Sequence, residues 1–215
     1  MPQIFPKWTN KLPLALLILA VFSGSAVVAG FWYLGSPRNT DVGYRPRQPV
    51  AYSHKLHAGD LGIDCRYCHL SVETSAVAGL PPTQICMNCH TLVGAKNDNL
   101  FPVRESWELG QPIEWVRVHN LPDYAYFDHS IHVNASVGCK SCHGRIDQMA
   151  VVTQQEPLSM GWCLDCHRHP EMHLQPADEV TNMDWKPPIY QTDIAAKIMK
   201  ERSLSPTQDC TGCHF

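Results

Sequence analysis

Every cysteine in this chain belongs to one five-residue pattern, C-x-x-C-H, and this pattern constrains the fold more than any other feature. The pattern occurs five times in 215 residues, so no cysteine is left over for a disulfide. We number the copies motif 1 to motif 5 in chain order, with cysteine pairs at Cys65 and Cys68, Cys86 and Cys89, Cys139 and Cys142, Cys163 and Cys166, and Cys210 and Cys213.

The spacing C-x-x-C-H is typical of the covalent attachment of a c-type haem. Two thiols three residues apart can add to the two vinyl groups of one porphyrin, and the adjacent histidine then binds the iron from one side of the ring. The ten cysteines are therefore predicted to attach haem, and no catalytic residue is predicted. The predicted proximal iron ligands are His69, His90, His143, His167 and His214.

Two other chemistries use paired cysteines, and both fit the pattern less well. A structural zinc ion needs four ligands, but five copies cannot pair off evenly, and zinc does not require a histidine after each second cysteine. A redox dithiol of the thioredoxin type has one C-x-x-C near a βαβ unit, and no such unit is evident. We therefore predict five haem c groups, each with its iron.

The composition agrees with an interior filled by porphyrin. Aromatic residues make up only 9% of the chain, while 17 prolines and 13 glycines indicate many loops. We predict a multihaem cytochrome c fold: mostly irregular chain, few strands, and short α-helices after the motifs and around five haems. One amphipathic helix is predicted near Asp193 to Arg202, with Thr192 as its cap. The net charge of −3 gives no reason to expect a nucleic-acid partner.

The segment Leu12 to Gly35 carries no charge over 24 residues. As a helix it would be about 36 Å long, which is enough to cross a bilayer. Trp32 and Tyr33 lie at one end, where aromatic residues meet the membrane surface. A cleaved signal peptide is the alternative, with residues 27–29 as a weak cleavage site. Because the apolar run is long for a signal peptide, we predict a retained transmembrane helix in contact with membrane lipid.

The charges beside this segment do not set its orientation. Basic residues occur on both sides of it: Lys7, Lys11, Arg38, Arg45 and Arg47. The positive-inside rule therefore does not decide the orientation of the segment. Covalent haem is attached on the outer side of a bacterial inner membrane, so we predict a single-pass inner-membrane protein. Residues 1–11 would form a cytoplasmic tail, residues 12–35 the anchor, and the haem domain would lie in the periplasm.

The remainder contains an internal duplication. Residues 36–51 read as an extended linker, and residues 52–215 as a pentahaem domain. Its two-haem units are 52–90 and 127–167, each with an aromatic-x-His-x-x-His sequence followed by two motifs. The fifth haem site, residues 210–214, stands alone near the C-terminus.

The sixth ligand of each iron decides between an electron carrier and a catalyst. On a helical turn, residues i and i+3 face the same way, so one histidine of each pair can serve its own unit's first haem and the other a neighbouring haem. The predicted distal ligands are His54, His57, His129 and His132. The fifth distal position is open between His119, as first choice, and Met149, Met160 and His173; a methionine would raise that haem's potential.

Three stretches resemble a known family: "YSHKLHAGDLGIDCRYCH", "WVRVHNLPDYAYFDHSIHV" and "PLSMGWCLDCHRHPE". They are similar to the pentahaem cytochrome c subunit of bacterial alternative complex III, from the anchor to His214. The resemblance implies an electron-transfer subunit of a membrane quinol-oxidising complex, respiratory or photosynthetic. Its partners would be an iron–sulfur subunit, polytopic quinol-binding subunits, a monohaem cytochrome c and a periplasmic acceptor. The proximal histidines, His54, His57, His129, His132 and His119 carry over, with Tyr52 standing where the second unit has Phe127.

We therefore expect electron transfer without bond chemistry, so that the chain is not an enzyme on its own. One alternative is a small membrane-anchored quinol dehydrogenase feeding a periplasmic reductase, which the fifth haem and the duplication fit less well. Another is a haem reductase of nitrogen or sulfur oxyanions, which would need one haem with an open axial position. The surplus of histidine and methionine ligands argues against that enzyme.

Overall fold

The computed structural model describes residues 4–36, 39 and 41–214. Contacts divide the chain into two compact units, Met1–Asp41 and Val42–Phe215. The first three residues of the predicted tail, three residues of the predicted linker (37, 38 and 40) and residue 215 lie outside the described residues.

The first unit is built on one apolar helix. A 3-10 turn at Lys7–Lys11 leads into α1, Leu12–Leu34, which has a proline in its first turn and ends at Gly35. The stretch Lys7–Leu34 has a mean hydropathy of 2.4 and buries none of its most apolar window. At about 1.5 Å per residue, α1 is about 34 Å long, enough to cross a bilayer. Its bounds agree with the predicted anchor to within one residue, and a signal sequence would also meet these limits of length and hydropathy.

The second unit is helical and irregular, as predicted. The described residues contain no β-strand, and the one isolated bridge given for them joins Val137 and Leu174. A π-helical turn covers Lys55–Asp60. Short 3-10 turns are Asp98–Leu100, Ile146–Gln148, Pro170–Met172, Ala177–Glu179 and Cys210–Gly212. The α-helices are α2 (Cys65–Cys68), α3 (Thr83–His90), α4 (Phe101–Leu109), α5 (His129–Asn134), α6 (Lys140–His143), α7 (Met160–Arg168) and α8 (Gln191–Glu201).

The motifs lie within helices rather than ahead of them, so the predicted position of the short helices was wrong. Four motifs overlap α-helices and motif 5 begins a 3-10 turn. One helical turn brings residues i and i+3 to the same side, which is what two cysteines on one porphyrin require. Local caps fix two of these turns: Asp64 accepts a hydrogen bond from the Arg66 amide, and Ser159 accepts one from the Trp162 amide.

The predicted amphipathic helix exists, but its start differs. α8 begins at Gln191, two residues before the predicted start, and Thr192 lies inside its first turn and is not its cap. A tertiary contact explains the different start: the buried side-chain amide of Gln191 donates hydrogen bonds to the backbone carbonyls of Glu171, at 2.6 Å, and Leu174, at 2.8 Å. These bonds hold the first residue of α8, and no local sequence signal marks them.

Residues 42–51 of the predicted linker are part of the second compact unit. The Gly43 amide donates to the Gln154 carbonyl at 2.8 Å, and the Gln154 amide donates to the Tyr44 carbonyl at 3.1 Å. Val50 is buried. The segment is therefore extended, but held by backbone hydrogen bonds from residue 43 onward.

Apolar packing in the second unit is confined to two small clusters. One is formed by Val50, Met87 and Val103, and the other by Leu174, Ala195 and Ile198. The second cluster joins α8 to the chain that follows the Pro170–Met172 turn. Neither cluster reaches the cysteines and histidines of motifs 1, 3 and 4, so side-chain packing alone does not fill the centre of the unit.

Replacing Leu174 with alanine tests the second cluster. Leu174 is 1% exposed, so Leu174→Ala should lower the free energy of unfolding by about 2–5 kcal/mol, through lost burial and the cavity left behind. The measurement is the denaturant midpoint followed by circular dichroism. Ile189→Ala is the control, because Ile189 is fully exposed and should unfold with the wild type; equal midpoints for the two variants would contradict the cluster.

Candidate haem-binding site

The two predicted units pack their aromatic residue and histidine pair in the same way. In the predicted two-haem unit 52–90, the Tyr52 ring meets His54 edge-on at 4.8 Å and stacks on His57 at 4.5 Å. In the predicted two-haem unit 127–167, the Phe127 ring meets His129 edge-on at 4.8 Å and stacks on His132 at 4.4 Å. The hydroxyl that distinguishes tyrosine from phenylalanine therefore does not change how the ring orients the histidines.

The second histidine of each pair faces the proximal histidine of its unit's second motif. The ring centroids of His57 and His90 are 6.2 Å apart, and those of His132 and His167 are 6.1 Å apart. An imidazole nitrogen lies about 2.0 Å from a bound metal, so two rings on opposite sides of one ion have centroids about 6 Å apart. Each pair is thus spaced to hold a single iron.

The first histidine of each pair faces the first motif of its unit. The His129 and His143 rings are 6.5 Å apart and nearly parallel, at 13°. Burial lowers the pKa of His54 to about 4, and His69 makes the largest charge contribution to that shift. Since Tyr52 and Phe127 place their histidines alike, His54 occupies the position that corresponds to His129.

Hydrogen bonds at Nδ1 prepare these rings to bind metal. A carbonyl oxygen can only accept, so a ring that donates from Nδ1 carries its proton there and leaves the lone pair on Nε2 for a metal. Three predicted distal ligands have this bond: His57 to Ser53, His129 to Ala76 and His132 to Asp128, at 2.7–2.9 Å. Four predicted proximal ligands also have it: His69 to Gly79, His90 to Val93, His167 to Thr207 and His214 to Tyr124, at 2.5–2.9 Å.

Three further histidines have a buried ring nitrogen without a hydrogen-bond partner: His54 Nδ1, His119 Nε2 and His143 Nδ1. A buried polar atom left unpaired is costly. Burial also lowers the pKa of His143 to about 3 and lowers that of His119. The rings are therefore held neutral, which is the form that binds metal. A neutral ring with an unpaired Nε2, as in His119, fits a centre that takes a metal-bearing group.

His119 was the first choice for the fifth distal position, and the structure places it in the centre of the unit. Its ring lies edge-on to His143 at 4.5 Å, and its charge interacts with His129. His119 thus lies with the histidines of motifs 1 and 3. The ring beside His214 is Tyr124, at 5.9 Å, and among the described residues no histidine faces His214 as His57 faces His90.

The other candidates for the fifth position are spread over the unit. The Met149 carbonyl accepts a hydrogen bond from the Lys55 amide at 3.0 Å, next to His54. The His173 carbonyl accepts one from the Gly138 amide at 3.0 Å, next to motif 3. Met160 is 65% exposed and begins α7, one turn before Cys163. This helix carries motif 4, whose His167 donates a hydrogen bond to the Thr207 carbonyl, three residues before motif 5.

Sequence reasoning missed the carbonyls that hold the proximal histidines. A carbonyl is present in every residue, so its selection leaves no compositional trace. Gly79 is a partial exception, because its φ of +78° favours glycine. A side chain there would also come within 2.7 Å of the Ser71 hydroxyl. A glycine ten residues after a proximal histidine was the one available sign of that bond.

Comparison with known proteins agrees with this site. Residues 125–215 match the family described as cytochrome c7 and related cytochrome c. This range contains the second histidine pair and motifs 3 to 5. This part of the chain is therefore similar to c-type cytochromes, and the match covers less than half of the chain.

One curated relative gives a more particular likeness. It is the "Menaquinone reductase, multiheme cytochrome c subunit" of Nitratidesulfovibrio vulgaris (strain Hildenborough), which is 32% identical over 119 residues. The match covers 55% of this chain and 54% of the relative. The chain therefore spans about half the length of the curated relative it matches.

Removing one predicted distal histidine should leave one iron without its sixth ligand. His57→Ala and His132→Ala should each convert a single haem per chain from low-spin to high-spin, because water or no ligand then replaces the imidazole. Electron paramagnetic resonance of the oxidised protein measures the change. His169→Ala is the matched control, since His169 is exposed and should leave all signals unchanged. Wild-type spectra from both distal variants would mean that neither histidine is a ligand.

Proposed function

We propose that this chain is the electron-transfer subunit of a membrane complex that oxidises quinol, carrying five haem c groups on its five motifs. The haem domain lies in the periplasm of a bacterial inner membrane, anchored by α1, and passes electrons to a periplasmic acceptor. The chain itself makes and breaks no substrate bond.

The pairing of histidines carries this proposal. Rings spaced about 6 Å apart across one position fill both axial sites of an iron, and an iron so filled has no place for a substrate. A haem bound in this way accepts and releases single electrons, at a potential set by its ligands and its burial. The residues of this chain fix the ligand tautomer, cover the site and exclude water from it.

Two likenesses support the quinone partner. The relative from Nitratidesulfovibrio vulgaris is named as a subunit of a menaquinone reductase, and the sequence resembles the pentahaem subunit of alternative complex III. In a complex of the latter type, an iron–sulfur subunit, polytopic quinol-binding subunits and a monohaem cytochrome c would surround this chain. The exposed apolar surface of α1 would lie against lipid or against those polytopic subunits.

For the haem of motif 5 we propose Met160 as the distal ligand. The other four irons draw on His54, His57, His129 and His132, while His119 and His173 lie near motif 3 and Met149 lies near motif 1. Met160 begins the helix of motif 4, and His167 of that motif donates a hydrogen bond to the Thr207 carbonyl just before motif 5. A thioether ligand would give this haem a higher potential than its histidine-ligated neighbours.

A second function is favoured by one observation at the same motif. The ring beside His214 is the Tyr124 ring and not a histidine. If the haem of motif 5 has an open axial position, the chain is a haem reductase and substrate binds at that iron.

Carbon monoxide separates the two functions, because it binds a reduced haem that has an open or weakly held axial position. The wild-type chain should bind no carbon monoxide, and Met160→Ala should bind one molecule per chain, measured by the Soret difference spectrum. Met172→Ala is the control, as Met172 is similarly exposed, at 57%, and is not a candidate ligand. Carbon monoxide binding to one haem in the wild type would favour the reductase.

Quinol oxidation is tested on the complex in its native membrane. The chain should co-purify with integral membrane subunits, its haem content should be five per chain, and menaquinol should reduce those haems. The isolated chain should not be reduced by menaquinol, because in this proposal the quinol site belongs to other subunits. Rapid reduction of the isolated chain would contradict the subunit role and favour a self-sufficient quinol dehydrogenase.

A further inference from the structure

The contacts between motifs specify how the haems follow one another in space. We infer that the five haems form one unbranched row in the order motif 2, motif 1, motif 3, motif 4, motif 5, with motifs 2 and 5 at its ends. This inference rests on the proposed function in that each motif holds a haem. Each of the four junctions has its own direct contacts.

Motif 1 contacts motif 2. The Asn88 side-chain amide of motif 2 donates a hydrogen bond to the Tyr67 hydroxyl of motif 1 at 3.1 Å. Tyr52 stacks on His57, which faces His90 of motif 2. The same tyrosine lies close to thiols of both motifs.

Motif 1 also contacts the second unit at motif 3. His129, the partner of His143 in motif 3, donates from Nδ1 to the carbonyl of Ala76, which follows motif 1, at 2.9 Å. The Ser130 amide donates to the Ser75 carbonyl at 3.2 Å. The Cys65 and Cys139 thiols interact directly, which lowers the pKa of Cys65 and raises that of Cys139.

A second bridge closes the same junction from the other side. The Thr181 hydroxyl donates to the Asp64 carboxylate, which caps the helix of motif 1, at 2.9 Å. The neighbouring Val180 carbonyl accepts from the Cys139 amide of motif 3 at 3.1 Å. Motifs 1 and 3 are thus connected through two separate segments, residues 75–76 and residues 180–181. His119 lies beside His143 of motif 3.

Motif 4 joins motif 3 on one side and motif 5 on the other. Toward motif 3, His132 belongs to the histidine pair before Cys139 and faces His167 of motif 4. Toward motif 5, His167 donates to the carbonyl of Thr207, three residues before Cys210, at 2.5 Å.

Exposure of the cysteines marks the same two ends independently. All ten cysteines are described, and only Cys89 of motif 2 and Cys210 of motif 5 are exposed, while the other eight are partly covered. A row folded on itself would cover one of its ends. Motifs 2 and 5 are therefore the sites where electrons would enter or leave the chain.

The row follows from the duplication, with one addition that breaks its symmetry. The two units meet through their first motifs, and their second motifs point away from each other, giving the symmetric order 2–1–3–4. Motif 5 extends that row on one side only, so the two ends differ. Because electron transfer weakens steeply with distance, an electron crossing the row passes each haem in turn.

The test uses one haem as a magnetic label on another, in the complete complex. His57→Ala places a high-spin iron at motif 2, and His132→Ala places one at motif 4. The signal of the motif 5 haem is identified by its loss in a Cys210→Ser, Cys213→Ser variant. His132→Ala should shorten the relaxation time of that signal, and His57→Ala should leave it unchanged, because motif 4 adjoins motif 5 and motif 2 is at the far end.

Failure of the inferred haem order and failure of the proposed function would give different results. If both variants give a high-spin iron and His57→Ala is the one that shortens the motif 5 relaxation, the order is wrong while the ligand pairs stand. If neither variant gives a high-spin iron, the ligand pairs and the electron-carrier function fail together. The iron positions in a cryo-EM map of the native complex need no variant: irons 1 and 3 should be neighbours, irons 2 and 5 should be farthest apart, and any other order overturns the inference.

Discussion

The hydrogen bond from a histidine Nδ1 to a backbone carbonyl is the interaction on which this molecule depends. It occurs at seven of the twelve histidines. Each bond fixes the proton on one nitrogen and presents the other to a metal. The carbonyls come from loops as far away as Tyr124 for His214 and Thr207 for His167, so the same bonds that prepare the ligands also tie distant segments together.

This arrangement explains how a chain with little apolar packing holds its shape. Its two apolar clusters lie to the sides of the histidine-lined centre, and the described helices are short apart from α1. Where an ordinary domain of this length packs aliphatic side chains, this one gathers cysteine and imidazole. In the proposed function the porphyrins supply the missing apolar volume, so that folding and haem attachment are one process.

The duplicated unit sets the plan of the haem domain. An aromatic ring holds two histidines at fixed angles, one for the local motif and one for the next. Used twice and joined at motifs 1 and 3, the unit gives a row with two exposed ends and a covered middle. In such a row the haems of motifs 1 and 3, surrounded by five histidines, would differ in environment from those at the ends, and burial is one of the factors that set haem potential.

The sequence by itself predicts the class of the protein, the attachment residues, the histidine pairs and the apolar helix, because these depend on residue type and short spacing. C-x-x-C-H is a local pattern, and a helical turn is enough to bring its two cysteines together. Tertiary structure alone decided which histidine faces which motif, that His119 lies beside His143, and that α8 starts at Gln191. These features depend on carbonyls and contacts between segments up to 90 residues apart, as for Tyr124 and His214, and a backbone carbonyl looks the same in every residue of a sequence.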